Sequence, residues 1–415
     1  MRVFHGWRIV AVAALAQGVS VGSTFYAYGA FLKPLASEFG ASRLAVTLGL
    51  TILTLVQGAV APFLGRALDR GSPRRIMISG ILLQACGLLL LSRATAFWQV
   101  GLLFVSAIAL GSCLFGPLAT ATVVAQWFVR LRGRALGILS LGVAVGGGIF
   151  PLLATALIEA LGWREALAAM GVGLGLLIGP VAWVLVGRPE QIGSAPDGGP
   201  GPVEAPRESL EDGSVVLTTG ALLRDRNFWA ITTTIGFAYC PASVLLAHLV
   251  PYATDLGISP ARAAIVMSGY AFAGGGGRVL FGWLSDRIDK RLVCWIVLAW
   301  LGLSWLGLLG RPSFSGLLAA AVAAGMAMGG ITPLWGALTG AAFGRGIFGR
   351  VMGLMNLLML PFSIAGAPVA AYLFDRTGSY QLAFTSFLAF FVLGGISIAF
   401  LRLAGPEIES GLRSA

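Results

Sequence analysis

Charged residues are scarce: Asp, Glu, Lys and Arg make up 11% of 415 residues, against 57% hydrophobic. That balance excludes a soluble globule, which could not cover itself with so little polar surface. Histidine occurs twice and cysteine four times. Cys86, Cys113, Cys240 and Cys294 stand singly in apolar runs and read as small buried hydrophobes, so disulfides, redox pairs and metal clusters are not indicated. Every Asp and Glu lies outside the apolar runs or at their edges, and no Lys lies within one. An intramembrane enzyme or a non-transporting sensor therefore finds no acid/base pair to work with. No cofactor and no obligate protein partner are implied.

What abounds is apolar sequence. Runs of roughly 18 or more residues fall near 8–31, 44–64, 75–92, 97–125, 135–157, 166–186, 228–252, 261–284, 292–309, 314–340, 351–373 and 381–402. The expectation is an all-α integral membrane protein with twelve transmembrane helices in a lipid bilayer. The first run follows a basic N-terminus and is long, with no small-residue cleavage site, so it reads as a helix rather than a signal peptide. A net charge of +11 raises nucleic acid as a partner, but the basic residues sit at the ends of the runs. Topology accounts for them better, and nucleic acid is set aside. Most lie in the loops on the side of both termini, which predicts cytoplasmic termini and a place in the cell membrane.

Hydropathy breaks for a long stretch in "GRPEQIGSAPDGGPGPVEAPRESLEDG", whose Pro, Gly and acidic residues mark a flexible linker. The expected organisation is a six-helix bundle over 1–187, a cytoplasmic linker over 188–226, and a second six-helix bundle with a short tail over 227–415. An internal repeat supports the division. "GRALDRGSPRR" and "GWLSDRIDKR" align Gly65 with Gly282, Asp69 with Asp286, Arg70 with Arg287 and Arg74 with Arg291. At the same offset, within one residue, Arg134 of "RALG" meets Arg350 of "RVMG", Pro117 meets Pro333, and Gly162 meets Gly378.

These duplicated loops resemble the signature of the major facilitator superfamily, and the resemblance runs through essentially the whole chain. The residues of the two loops, with Arg134 and Arg350, are assigned a conformational latch: Asp69 and Asp286 accept from helix N-termini or arginines in one state and release them in the other. Charges that only enforce topology are the plainer alternative. "HGWRIV", "YGAFLKPLASEFGASR", "QWFVRLRGRALGILSLGVAVGGG", "RPEQIG" and "LVPYATDLGIS" are similar to segments of the monocarboxylate transporters and the oxalate/formate antiporters. That resemblance implies small organic carboxylates as substrates.

One charge stands apart. Arg278 follows Gly274–Gly277 and precedes Asp286 by eight residues, about 12 Å of helix, too deep for easy snorkelling. A central arginine costs at least about 2.5 kcal/mol, and no carboxylate on another span is available to offset it. An arriving anion is, since a guanidinium fork matches a carboxylate; a structural arginine facing carbonyls or water is the alternative. The glycines read as helix-packing residues, expected against helix 5 at Gly146–Gly148, not as a phosphate loop.

The resemblance sharpens the substrate. Animal monocarboxylate transporters carry an acid one turn before this arginine, where Gly274 stands, and a helix 1 lysine where Tyr26 stands; oxalate transporters add a helix 11 cation near Ile364. One arginine suggests one carboxylate among apolar walls. Tyr26, Tyr239, His248, Trp335, Asn356 and Leu360 are the candidate secondary contacts, each weighed against plain packing. The proton partner would be Asp255, His248 or the substrate itself. Proton symport of a lactate- or pyruvate-like anion is the leading expectation, with anion exchange as the alternative and a broad-specificity drug exporter behind both.

Overall fold

The computed structural model describes residues 4–70, 72–128, 131–195, 219–343 and 348–402. Within them all regular structure is helical. Ten segments are long and apolar enough to cross a membrane. Eight of these are α1 (His5–Phe39), α3 (Pro73–Leu91), α4 (Phe97–Trp127), α6 (Trp163–Val181), α7 (Arg226–Asp255), α10 (Phe314–Phe343), α12 (Gln381–Ala399) and α2, which extends over Arg43–Arg70. The remaining two lie within α5 (Arg132–Leu161) and α11 (Phe348–Thr377). Between α7 and α10 come α8 (Pro260–Arg287), interrupted by Arg278 and diluted by its glycines, and α9 (Lys290–Leu306), only 17 residues long. The eighth and ninth expected helices are thus present, but fall short of a strict apolar window.

Helix is the backbone's way of satisfying every N–H and C=O internally where no water is available. A 30-residue helix such as α7 is about 45 Å long, ample for a hydrocarbon core of about 30 Å. Loop residues set the ends. Ser72 caps α3 ahead of Pro73, Asp225 caps α7 through the Phe228 N–H at 2.8 Å, and Gly40 ends α1 with φ of 58°. Asp289 caps α9: partial burial pushes its carboxyl pKa up, but the Arg291 N–H at 2.7 Å and the Arg291 guanidinium outweigh that and hold it below its ordinary value.

Buried apolar side chains gather in two clusters, one drawn from α1–α6 with Ala247 and Ala367, the other from α7–α12. Across the divide α5 packs on α8, α2 on α11, and α1 on α7. The loops α1–α2, α7–α8 and α11–α12 share one end of the bundle, called here the far end. The α2–α3 and α8–α9 loops lie at the other, terminal end.

The glycine run packs differently from its expectation. A methyl at Gly277 would be driven into the Met326 carbonyl of α10, and one at Gly329 of α10 into the Gly274 carbonyl. Of the run only Gly275 turns to α5, where an added Cβ would lie 2.9 Å from Ala144; of the α5 glycines Gly146 meets Gly18 of α1, while Gly147 and Gly148 meet Ala271 and Phe272 of α8, just before the run. The main partner of the run is α10, the neighbour whose own glycines let the two backbones touch. Gly277→Leu should therefore split α8 from α10 and lower the melting temperature of the purified protein by several degrees, about 1–3 kcal/mol of overpacking. Gly276→Leu, with open space before it, should melt like the parent.

Candidate functional site

A cavity of about 280 Å³ lies between the two groups of helices, lined from α1, α2, α5, α7, α8, α10 and α11. Three of its walls are aromatic, from Tyr26, Tyr239 and Tyr270, and its other polar groups are hydroxyls, among them Thr51, Thr332 and Ser363. Phe25, Leu50, Leu246, Ala271 and Met328 give it an apolar body. Tyr26 reaches it at the close of a wide π turn in α1, Gly22–Tyr26, and its ring lies against Gly147 of α5. Such turns insert one extra residue into a helix and recur at functional sites. Tyr239 is aimed by a 3.1 Å hydrogen bond between its hydroxyl and Thr332.

Arg278 is the cation of this cavity. It is partly buried, and its Nη1 donates to the Ser140 carbonyl of α5 at 2.7 Å. Its Nε is buried and has no hydrogen-bond partner among the described residues. None of the ion pairs among the described residues involves it. One edge of the guanidinium is thus anchored to a carbonyl, while a donor remains for an acceptor that the described residues do not provide. A buried donor without a partner costs about 1–3 kcal/mol or more.

Residues 13–252 and 234–414 each match the family model of the Major Facilitator Superfamily. The chain belongs to the major facilitator superfamily. It is therefore a multi-pass membrane transporter. Its relatives include monocarboxylate transporter 11 of Mus musculus, 30% identical over 427 residues, covering 97% of this chain and 88% of that one. Monocarboxylate transporter 13 of Bos taurus is 29% identical over 399 residues, covering 94% and 87%. The fold is shared with a bacterial homolog of the human lysosomal transporter Spinster, crystallised in an inward-facing and occupied conformation, at a TM-score of 0.70, 15% identity and coverage of 97% and 95%.

Of the transporter's expected contact residues, Arg278, Tyr26 and Tyr239 meet in the cavity; Tyr270, Thr332 and Ser363 join them unforeseen. Four do not line it. Trp335 is buried and donates Nε1 to the Met355 sulfur at 3.4 Å. Asn356 turns back on the Met352 carbonyl at 3.1 Å, and Leu360 faces Gly58 of α2. His248, expected to greet an arriving anion, is fully buried with both ring nitrogens engaged. Its Nε2 lies 3.0 Å from the Ala367 carbonyl, an acceptor only, so Nδ1, 3.0 Å from the Tyr380 hydroxyl, is the accepting nitrogen.

Of the latch residues, the side chains of Asp69, Arg70, Arg134, Asp286 and Arg350 lie outside the described residues. Gly65 has open space before it, Gly282 faces Pro333, and Arg74 is exposed. Arg287 stacks on Trp283 with its carbon 4.3 Å from the ring centre, and Arg291 donates to the Leu401 carbonyl at 3.2 Å.

Among the described residues, the ion pairs that join the two groups of helices sit at the far end, where the sequence marks Asp255 alone. Asp255, closing α7, accepts from Arg43 of α2 at 2.6 and 3.1 Å and from Lys33 of α1 at 2.6 Å. Arg43 also donates to the Tyr380 hydroxyl at 2.9 Å and lies 3.8 Å above the Phe374 ring. Asp375 of α11 caps α2 across the divide, accepting from the Arg43 and Leu44 N–H groups at 3.3 and 3.1 Å.

Proposed function

We propose that the chain is a secondary carrier of small monocarboxylates that works by alternating access. The bundles 1–187 and 227–415, joined by 188–226, rock about the Arg278 cavity in the cell membrane, with both termini cytoplasmic. The observation that carries this reading is Arg278: a cation with an unpartnered buried Nε, in a hydroxyl-rimmed apolar cavity with no carboxylate among its lining residues. A monocarboxylate would take the guanidinium with its charge, the Tyr26 and Tyr239 hydroxyls with its other lone pairs, and the apolar wall with its carbon skeleton. The names of the relatives support the same substrate class.

The carrier couples this anion to a proton, and Asp255 is the better of the two protonation candidates. It is 27% exposed, and while it clamps Lys33 and Arg43 the two cations favour its ionised form; it takes a proton once the far end opens and they part from it, whereas His248 is sealed from solvent. The duplicated loops of Asp69 and Asp286 are assigned the matching latch at the terminal end. Anion exchange is the second reading, favoured by the same Arg278: an unpaired cation resists crossing with the site empty.

Uptake of radiolabelled lactate, pyruvate, formate and oxalate into proteoliposomes separates the two. An inside-alkaline gradient alone should drive monocarboxylate accumulation. Uptake that requires a preloaded counter-anion would establish exchange, and uptake of none of the four would overturn the substrate class.

A further inference from the structure

A second cavity, of about 630 Å³, opens at the far end beside the Asp255 cluster. Lys33, Ser37, Arg43, Thr155, Glu159 and Thr254 are its polar lining, among apolar residues of α1, α5, α7 and α8. Thr155 is only 4% exposed, and its hydroxyl has no hydrogen-bond partner among the described residues. Lys33 and Arg43 bring two positive charges to the floor and Asp255 one negative charge. Asp375, whose oxygens accept from the α2 backbone, and Glu159, exposed at the rim, add negative charge nearby, so an anion would be held here by the Lys33 and Arg43 donors rather than by a net positive field. Phe374 and Tyr380, which also hold Arg43, belong with Asp255 to the second group of helices, whereas Lys33 and Arg43 both belong to the first. The two cations are therefore a carboxylate receptor on the first group, which the closed far end fills with a carboxylate from the second.

We propose that Lys33 and Arg43 form a second carboxylate site, filled by Asp255 when the far end is closed and by the substrate carboxylate when it opens. The inference rests on the carboxylate-carrier reading and adds a docking step at the far face, ahead of Arg278. Asp255 competes there with the substrate. Removing it improves docking, which a misfolded variant cannot imitate.

Two measurements on the full chain test this. The first uses lysine chemistry: Lys33 and Lys290 are the only lysines in the chain, and they belong to opposite ends of the bundle. In detergent, acylation of Lys33 by an amine-reactive reagent should be protected saturably by acetate in Asp255→Asn. Protection should be at least ~10-fold weaker in the parent, where the fork and ammonium are occupied. Lys290 is the internal control. Absence of saturable protection in Asp255→Asn, or equal protection of Lys290, overturns the proposal.

The second is lactate self-exchange in oriented proteoliposomes. Asp255→Asn should lower KM at the far face about tenfold; adding Lys33→Gln should cancel the gain. A KM that moves equally on both faces, or ignores Lys33→Gln, reduces the cluster to a clamp and also overturns the proposal. If acetate protects Lys33 while no carboxylate shows Arg278-dependent uptake, the carrier reading fails and the far site stands.

Discussion

Arg278→Ala is expected to cut carboxylate uptake in proteoliposomes by ~30-fold or more. The estimate is the cost of leaving a desolvated carboxylate without its cation, about 2–5 kcal/mol, with each ~1.4 kcal/mol worth tenfold. Arg278→Lys should recover part of the loss: it keeps the charge, but not the fork that holds the Ser140 carbonyl with one nitrogen and leaves another free. Stability should move the other way. A membrane-buried cation that lacks a counter-charge among the described residues costs stability, so the alanine variant should melt at or above the parent's temperature. Uptake at the parent's rate in a well-expressed, normally melting Arg278→Ala protein would remove Arg278 from the substrate's path.

The second large effect concerns size. Ser363 lines the cavity and bonds only within its own helix, to the Met359 carbonyl at 3.2 Å, so replacing it severs no contact between helices. Ser363→Phe should place a ring in the 280 Å³ space opposite the α8 wall. Bulky acids such as phenylpyruvate should then lose competition against labelled lactate by ~100-fold, in keeping with the 1–3 kcal/mol cost of overpacking a filled site. Lactate uptake should fall far less. Equal loss for both acids would mean that the ring blocks the pathway or the fold, and unchanged competition by phenylpyruvate would place the substrate elsewhere. Both outcomes are read in one competition curve.

Helix number, the exceptional Arg278 and the kinship were legible in the sequence because each is a local property: an apolar run, a charge inside one, a repeated loop. Partners were not. Four glycines announce a close approach without saying to which helix, and the answer was α10, chiefly because Gly325 and Gly329 present matching bare backbone. Asp255 is marked in the sequence as a proton partner, but Lys33 and Arg43 are not, since nothing in one sequence brings residues 33, 43 and 255 together. Trp335, Asn356 and Leu360 lie on helices that line the cavity but on other faces of them, and apolar runs hydrophobic all round do not say which face that is. Burial misled for His248: a titratable residue near a helix end looks accessible until Tyr380 and Ala367 close over it.

The π turn in α1 bears on how this chain can change. Gly22, within the turn, packs on Gly146 and Phe150 of α5, whereas Gly29, seven residues on, packs on Ala247 and Val250 of α7. In an uninterrupted helix those two positions would share one face. The extra residue swings everything after it by about 100°, which lets one helix belong to the first cluster and still offer Lys33 to Asp255. A one-residue deletion within Gly22–Tyr26 would close the wide turn into an ordinary one and leave every residue after it facing the neighbour it has now. The far end would therefore survive the loss of that residue, Lys33 still meeting Asp255, and what would go is the wide turn that brings Tyr26 to the cavity: this stretch is held by the site rather than by the ends of the carrier.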